Sequence, residues 1–252
     1  MSRFSRHQVL KRLQAELPRG GPFDLSVLAR FGVSPQLAAQ YAEAGWLVRL
    51  GHGVYAFPND DFGIFGGLKL LQNRVAGLHI GGKSAMALQG VRHNLGSTES
   101  CVLWGDKRYT LPDWFTSRFP SRYCHARLFE WSDNELATKT LTTPPGLPEH
   151  VVVACPERAV LELLYEVGVK QSLEEARNLF DGLRSPRKQV LGNLLSCCTS
   201  VKAVRLYLTW ARETELVDVD ALLEDFPVRT GSSSRWMTRL DDGTLLSLNP
   251  QG

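Results

Sequence analysis

The eight residues Gly77-Leu-His-Ile-Gly-Gly82-Lys83-Ser84 fit the phosphate-loop pattern G-x-x-x-x-G-K-[ST]. In such a loop the glycine-rich backbone cradles phosphates, the lysine reaches the outer ones and the serine hydroxyl holds Mg²⁺. That chemistry needs a buried strand ahead of the first glycine. Lys69 to Ala76 reads instead as helix, and Leu78-His-Ile80 reads as a strand inside the loop itself. The nearest apolar run ending in a metal-binding aspartate, Cys101-Val-Leu-Trp-Gly-Asp106, is a poor match. A strand, a turn and a short helix, with Ser84 capping Ala85 to Leu88, explains the pattern better. Nucleotide binding through Gly77 to Ser84 is kept as an alternative.

A second group suits nucleic acid. Gln36 and Gln40 lie four residues apart, on one face of any helix that holds both. A glutamine amide can bond the donor and acceptor edge of an adenine together. Ser34 just before them could meet a phosphate at a helix N-terminus, where free N–H groups and the dipole favour anions. Arg49 and His52 sit around a glycine turn and could reach backbone phosphate or a minor groove. Arg3, Arg6, Lys11 and Arg12, upstream, could neutralise further phosphates. The opposing features are Glu43 and the lack of Lys or Arg between Ser34 and Glu43. A protein-interaction module of the same fold is therefore a second alternative.

The remaining reactive residues form no constellation. His79, His93, His125 and His150 lack metal-ligand spacing to one another or to the cysteines. Cys197-Cys198 falls on an apolar helical pattern, Glu174 and Glu175 open a helix where acids suit the dipole, and no serine carries a G-x-S-x-G elbow. A non-enzyme without cofactor or metal is expected.

The elements that must position these residues can be read from periodicity. Val9, Leu10, Leu13 and Leu17 recur at helical spacing between Ser5 and Leu17. Pro18-Arg-Gly-Gly-Pro22 breaks the chain. Asp24 is a good N-cap for a short helix holding Leu25, Val27, Leu28 and Phe31, ended by Gly32. Ser34-Pro35 restarts a helix that should run to about Glu43 and stop at Gly45. Leu37, Ala38, Tyr41 and Ala42 face inward on it, which leaves Gln36, Gln40 and Glu43 outward. Trp46-Leu-Val-Arg-Leu50 and Val54-Tyr-Ala-Phe57 flank Gly51-His-Gly53 as a hairpin. Helix, helix, tight turn, helix, hairpin is the order of a winged helix-turn-helix.

Pro58-Asn-Asp-Asp61 is polar, so a first domain is expected over residues 1–60 and a second over 61–252. In the second, Ile64 to Ala76 is read as a helix, and Cys101 to Trp104, Ala126 to Trp131 and Val151 to Ala154 as strands. Helices are expected over Arg158 to Val167, Ser172 to Phe180, Arg187 to Cys197 and Val201 to Ala211, and an irregular segment over Phe226 to Leu248. The fold class is thus α+β: a winged helix-turn-helix, then a mixed α/β domain with a helical C-terminal layer.

Composition bounds the class. The chain has 252 residues, 43% hydrophobic and 22% charged, which is enough to bury a core. No apolar run approaches the roughly 18–20 residues that cross a bilayer, and no secretory signal is visible. The five cysteines form no CxxC pair, so reduced thiols and a cytoplasmic location are expected. Residues 1–60 hold seven Lys/Arg against four Asp/Glu, whereas residues 151–252 hold twelve against fourteen. The positive excess sits where DNA would be met.

Phe23-Asp-Leu-Ser-Val-Leu-Ala-Arg-Phe-Gly-Val-Ser-Pro35 and Ala44-Gly-Trp-Leu-Val-Arg-Leu-Gly-His-Gly-Val-Tyr-Ala-Phe-Pro58 resemble the N-terminal domain of AbiEi-type antitoxins. These are transcriptional regulators of type IV toxin–antitoxin systems. Leu78-His-Ile-Gly-Gly-Lys-Ser-Ala-Met-Ala-Leu-Gln-Gly-Val-Arg-His93 resembles the strand-turn-helix that opens the family's second domain. The resemblance implies a repressor that binds inverted repeats in double-stranded DNA upstream of its own operon. It also implies a C-terminal domain that counters a nucleotidyltransferase-type toxin without a stable complex. By position, Ser34, Gln36, Gln40, Arg49 and His52 would contact DNA. Many members carry basic residues on the recognition helix, where this chain has glutamines. For the toxin-countering role the chain offers Arg229, Arg235 and Arg239 as cationic candidates.

Overall fold

The computed structural model describes residues 6–91, 100–131, 134–240 and 243–250, excepting the side chains of Arg6, His7 and Asn134. The chain begins with α1 (Arg6–Glu16), β1 (Phe23–Asp24), α2 (Leu25–Arg30), α3 (Pro35–Glu43), β2 (Val48–Gly51), β3 (Val54–Ala56) and α4 (Ile64–Arg74). It continues with β4 (His79–Ile80), α5 (Gly82–Leu88), β5 (Cys101–Gly105), α6 (Asp113–Thr116), β6 (Ser121–His125), α7 (Asn134–Lys139), β7 (Leu141–Thr142) and β8 (Val153–Ala154). It closes with α8 (Pro156–Glu166), α9 (Leu173–Asp181), α10 (Lys188–Cys197), α11 (Val201–Glu213), α12 (Val219–Asp225), β9 (Trp236–Arg239) and β10 (Leu245–Leu248). The protein is α+β, as its sequence pattern predicts.

Residues 1–76 with 110–120 form one compact unit, and 77–109 with 121–252 form another. In the first, α1, α2 and α3 are too short to persist alone in water. They hold together by burying Val9, Leu13, Leu28, Ala38 and Tyr41 in one cluster with Phe23, Leu47, Tyr55 and Phe57. The hairpin pairs β2 with β3 antiparallel, and β1 adds a third strand through Phe23 opposite Tyr55 and Asp24 opposite Val54. The sequence reading missed β1, because two residues carry no periodicity and their partner lies some thirty residues on. Gly53 makes the turn with φ +65°, a left-handed conformation that suits glycine.

The expected boundary at Pro58–Asp61 falls inside this first unit. Phe62 just beyond it meets Trp114 of α6 and Phe119 at ring-centroid distances of 6.5 and 6.2 Å, within the same compact unit as the N-terminal segment.

The second unit centres on a five-stranded mixed sheet in the order β6-β5-β4-β8-β7. Helix α8 is its middle, with Val160, Leu161, Leu163 and Leu164 all buried. The strand expected over Ala126 to Trp131 lies earlier, at Ser121–His125, parallel to β5. Its more apolar successor instead reaches the end of α10, where Thr199 N donates to Leu128 O at 2.8 Å. The segment expected to be irregular contains the β9–β10 hairpin. Alternate residues of β10, Leu246 and Leu248, are buried, and the hairpin packs on α11. Arg205 of α11 is buried and donates to the carbonyls of Thr230, Ser232, Ser234 and Leu248, which secures the approach to the hairpin.

Candidate nucleic-acid interface

Helix α3 is built as its residues dictate. Ser34 Oγ accepts from the Leu37 N–H at 3.2 Å, and Pro35 occupies the first turn, where its missing N–H costs nothing. Ala38 and Tyr41 are buried, with Leu37 and Ala42 packed on the same core. That fixes the rotation of the helix, so Gln36, Gln40 and Glu43 are exposed together. At the far end, Trp46 N and Leu47 N both donate to Tyr41 O, turning the chain directly into β2.

On the hairpin, Arg49 and His52 are exposed, and Arg49 Nε donates to Gly51 O at 3.4 Å. A bulge between Arg49 and Gly51 shifts the register and re-aims the side chains near the turn. Lys11 is exposed on α1. Arg12 bonds Glu16 at 3.0 Å and stacks over Phe31, so it offers less free charge than a lone cation. Arg6 opens α1, but its side chain lies outside the described residues, and so does Arg3. The structure adds Arg30, exposed at the end of α2, four residues before the Ser34 cap. In the sequence it passes as an ordinary last-turn cation. Asp24, which starts α2, is partly buried, a condition that favours its neutral form. Hydrogen bonds from Ser26, Val27 and Arg74 outweigh this and hold its carboxyl below the usual range.

The phosphate-loop look-alike is used internally. Helix α4, not a strand, precedes it, and α5 begins at Gly82, two residues before Ser84. Ser84 does not cap that helix; its Oγ accepts from Val102 N at 2.9 Å. The Gly82 N–H donates to Glu162 Oε2 at 3.0 Å, and Lys83 Nζ pairs with Glu175 at 3.1 Å. A Cβ on Gly81 would stand 2.3 Å from Glu162 Oε2, so glycine here admits the protein's own carboxylate. Glu162 is fully buried; His79 at 2.8 Å and Arg158 at 2.8 Å outweigh that burial and hold its carboxyl below the usual range.

The three arginines expected to counter a toxin are exposed but not gathered by contact. Arg229 pairs with Glu130 at 2.7 Å, Arg235 Nε donates to Asn249 Oδ1 at 3.2 Å, and Arg239 lies on the outer face of β9. The thiols are not poised as nucleophiles. Burial pushes Cys101, Cys124, Cys155 and Cys198 up to about 12 and Cys197 to about 11. Among the described residues no group of three or more His, Cys, Asp or Glu is placed to hold a metal, and no helix is long and apolar enough to cross a membrane.

Comparison with known proteins adds family-level evidence. Residues 6–97 match the family model of the AbiEi antitoxin N-terminal domain, and residues 98–248 match that of the AbiEi antitoxin transcriptional regulator of type IV toxin–antitoxin systems. The crystal structure of RV2827C protein from Mycobacterium tuberculosis is similar with a TM-score of 0.56, at 18% identity, over 92% of this chain and 88% of that one. At that identity the likeness is one of fold. No curated protein matches.

Proposed function

Because the chain belongs to the AbiEi family of antitoxin transcriptional regulators of type IV toxin–antitoxin systems, we propose that it is a cytoplasmic, non-enzymatic repressor that binds double-stranded DNA upstream of its own gene. Its N-terminal portion acts as a winged helix-turn-helix. The observation that carries this reading is the face of α3, where Ser34, Gln36 and Gln40 are exposed together on a helix whose rotation the core has set. Gln36 and Gln40 read base edges in the major groove. Arg49, His52, Lys11, Arg6 and Arg12 position the domain on phosphates. The second unit counters a nucleotidyltransferase-type toxin encoded next door, with Arg229, Arg235 and Arg239 as its candidate cations.

The test is fluorescence anisotropy on the duplex upstream of the gene, against a scrambled duplex of equal length, across a salt series. Binding to the upstream duplex well above the scrambled control is the expected result. Equal weak binding that vanishes with salt would overturn the repressor reading and leave the exposed face of α3 as a protein contact.

A further inference from the structure

The second unit holds a cavity of about 480 Å³ that none of the chemistry above uses. Such a volume lies within the roughly 300–1,000 Å³ of small-molecule sites. One wall comes from β6 through Arg122 and Tyr123, another from the end of α8 through Tyr165 and Glu166, and Lys170 and Lys202 complete the charged lining.

The charges do not balance. Arg122 forks onto Glu166, with its Nη2 at 2.7 Å from Oε2, so that pair is neutral and buried on the acid side. Lys202 Nζ donates to two carbonyls, Tyr165 O and Val167 O, both at 2.7 Å. Two of its three protons are thereby used without any carboxylate being met. Lys170 is exposed, and among the described residues it has no acidic partner. Arg122, Lys170 and Lys202 thus set three cations against one acid, Glu166, whose charge also reaches Lys202, and the concave site keeps an excess of positive charge. Burial already pushes Lys202 below the usual ammonium range, a penalty that an incoming anion would offset. The rest of the lining is Tyr123, Cys124, His125, Tyr165 and Val169, and Lys202 Nζ lies over the Tyr165 ring at 5.8 Å from its centroid. Tyr165 is partly exposed and backed edge-on by Trp104 at 5.8 Å between ring centroids.

We infer that this cavity binds a small organic phosphate of mononucleotide size, its charged head at Lys170 and Lys202 and its flat ring against Tyr165. The cations alone would take any anion, and the tyrosines alone any ring; their combination in one concave site selects a molecule that has both. This inference is independent of the DNA-binding reading, since every residue it uses belongs to the second unit.

Isothermal titration of the full chain with AMP and GMP, with guanosine and inorganic phosphate as half-ligands, decides it. At least one nucleotide should bind about tenfold more tightly than either half-ligand. Lys170→Glu, at an exposed position whose side chain forms no ion pair among the described residues, should weaken that binding about tenfold or more, the size of one charge-assisted hydrogen bond. Lys188→Glu makes the same charge change on α10, outside the cavity lining, and should leave affinity unchanged. Three results would each overturn the inference: no nucleotide binding at millimolar concentration, half-ligands that bind as tightly as the nucleotides, or equal losses in both variants.

Discussion

Helices α3 and α8 both begin with proline and both carry polar side chains along their length, yet they dispose of them in opposite ways. On α3, Gln36, Gln40 and Glu43 stand in solvent, while the helix keeps only its apolar stripe for the core. On α8, Glu157, Arg158, Glu162 and Glu166 are all buried, and each is bonded within the unit. A buried charge must be paired to be tolerated, so α8's charges are committed to the fold. Exposed amides lose nothing by waiting for a partner, so α3's remain available. The same contrast separates two helix N-termini. That of α3 is capped by its own Ser34, whereas the Gly82 N–H of α5 is taken by Glu162 from across the unit.

The contrast is broken most directly at Glu162. Glu162→Gln leaves Arg158 buried without its counter-charge and His79 without its carboxylate partner, and should destabilise the chain by about 3–5 kcal/mol in urea denaturation. A loss below about 1 kcal/mol would show that α8's charges are no more committed than α3's. Gln36→Ala should leave stability untouched but change operator preference by about 1–3 kcal/mol at one base pair. Arg49→Ala should instead weaken all sequences alike and lower the salt slope by about one. Equal loss on every duplex for Gln36→Ala would remove its base-reading role.

Acid provides the third test. Burial alone would raise the Glu157 carboxyl, but Arg187 donates to it from its backbone N–H, Nε and Nη2 at 2.8–2.9 Å and holds it at about 2. Its folded value is thus depressed below the ordinary 4.5. The stability it contributes is present above pH 4.5 and is lost as pH falls toward 2. With Arg187 half in solvent, the contribution is discounted to about 1–2 kcal/mol. Glu157→Gln should flatten the acid limb of a melting curve over that window; an unchanged limb would refute the assignment.

At Ser34 two roles can be separated. Ser34→Ala should cost about 1 kcal/mol as a lost cap. Ser34→Asp keeps the cap but sets a negative charge where a phosphate would sit, so melting should hold while operator affinity falls. Retained affinity would mean that this helix end does not face the DNA backbone. The smallest expected effect is none at all. Excess Mg-ATP should shift the melting temperature of the unaltered chain no more than that of Lys83→Ala if Gly77 to Ser84 serves the fold alone, since a ligand held there at 100 times its Kd would add about 2.7 kcal/mol that the variant loses.

Local signals were legible wherever the physics is local. Asp24, Ser34-Pro35 and Gly45 bound their helices by capping and backbone preference, which act over a few residues. The apolar stripe of α3 told which face turns inward, and so which glutamines turn out. The β9–β10 hairpin was not legible, because its pattern of alternate burial depends on α11 beneath it and on Arg205 holding the approach. Nor was the position of β6, where a more apolar neighbour at Ala126 to Phe129 competed for the strand and lost it to a contact with the end of α10.

The amino-acid sequence by itself determined the order of the N-terminal elements, the caps of α2 and α3, the outward placement of Gln36 and Gln40, and the family to which the chain belongs. Only the tertiary structure decided that Gly82, Lys83 and Ser84 bond to Glu162, Glu175 and Val102, and that Arg122, Lys170 and Lys202 line one cavity. Those pairings join residues from 18 to more than 90 positions apart. At such separations the requirement that buried polar groups find partners is met across the fold, and no spacing along the chain records which partner is chosen.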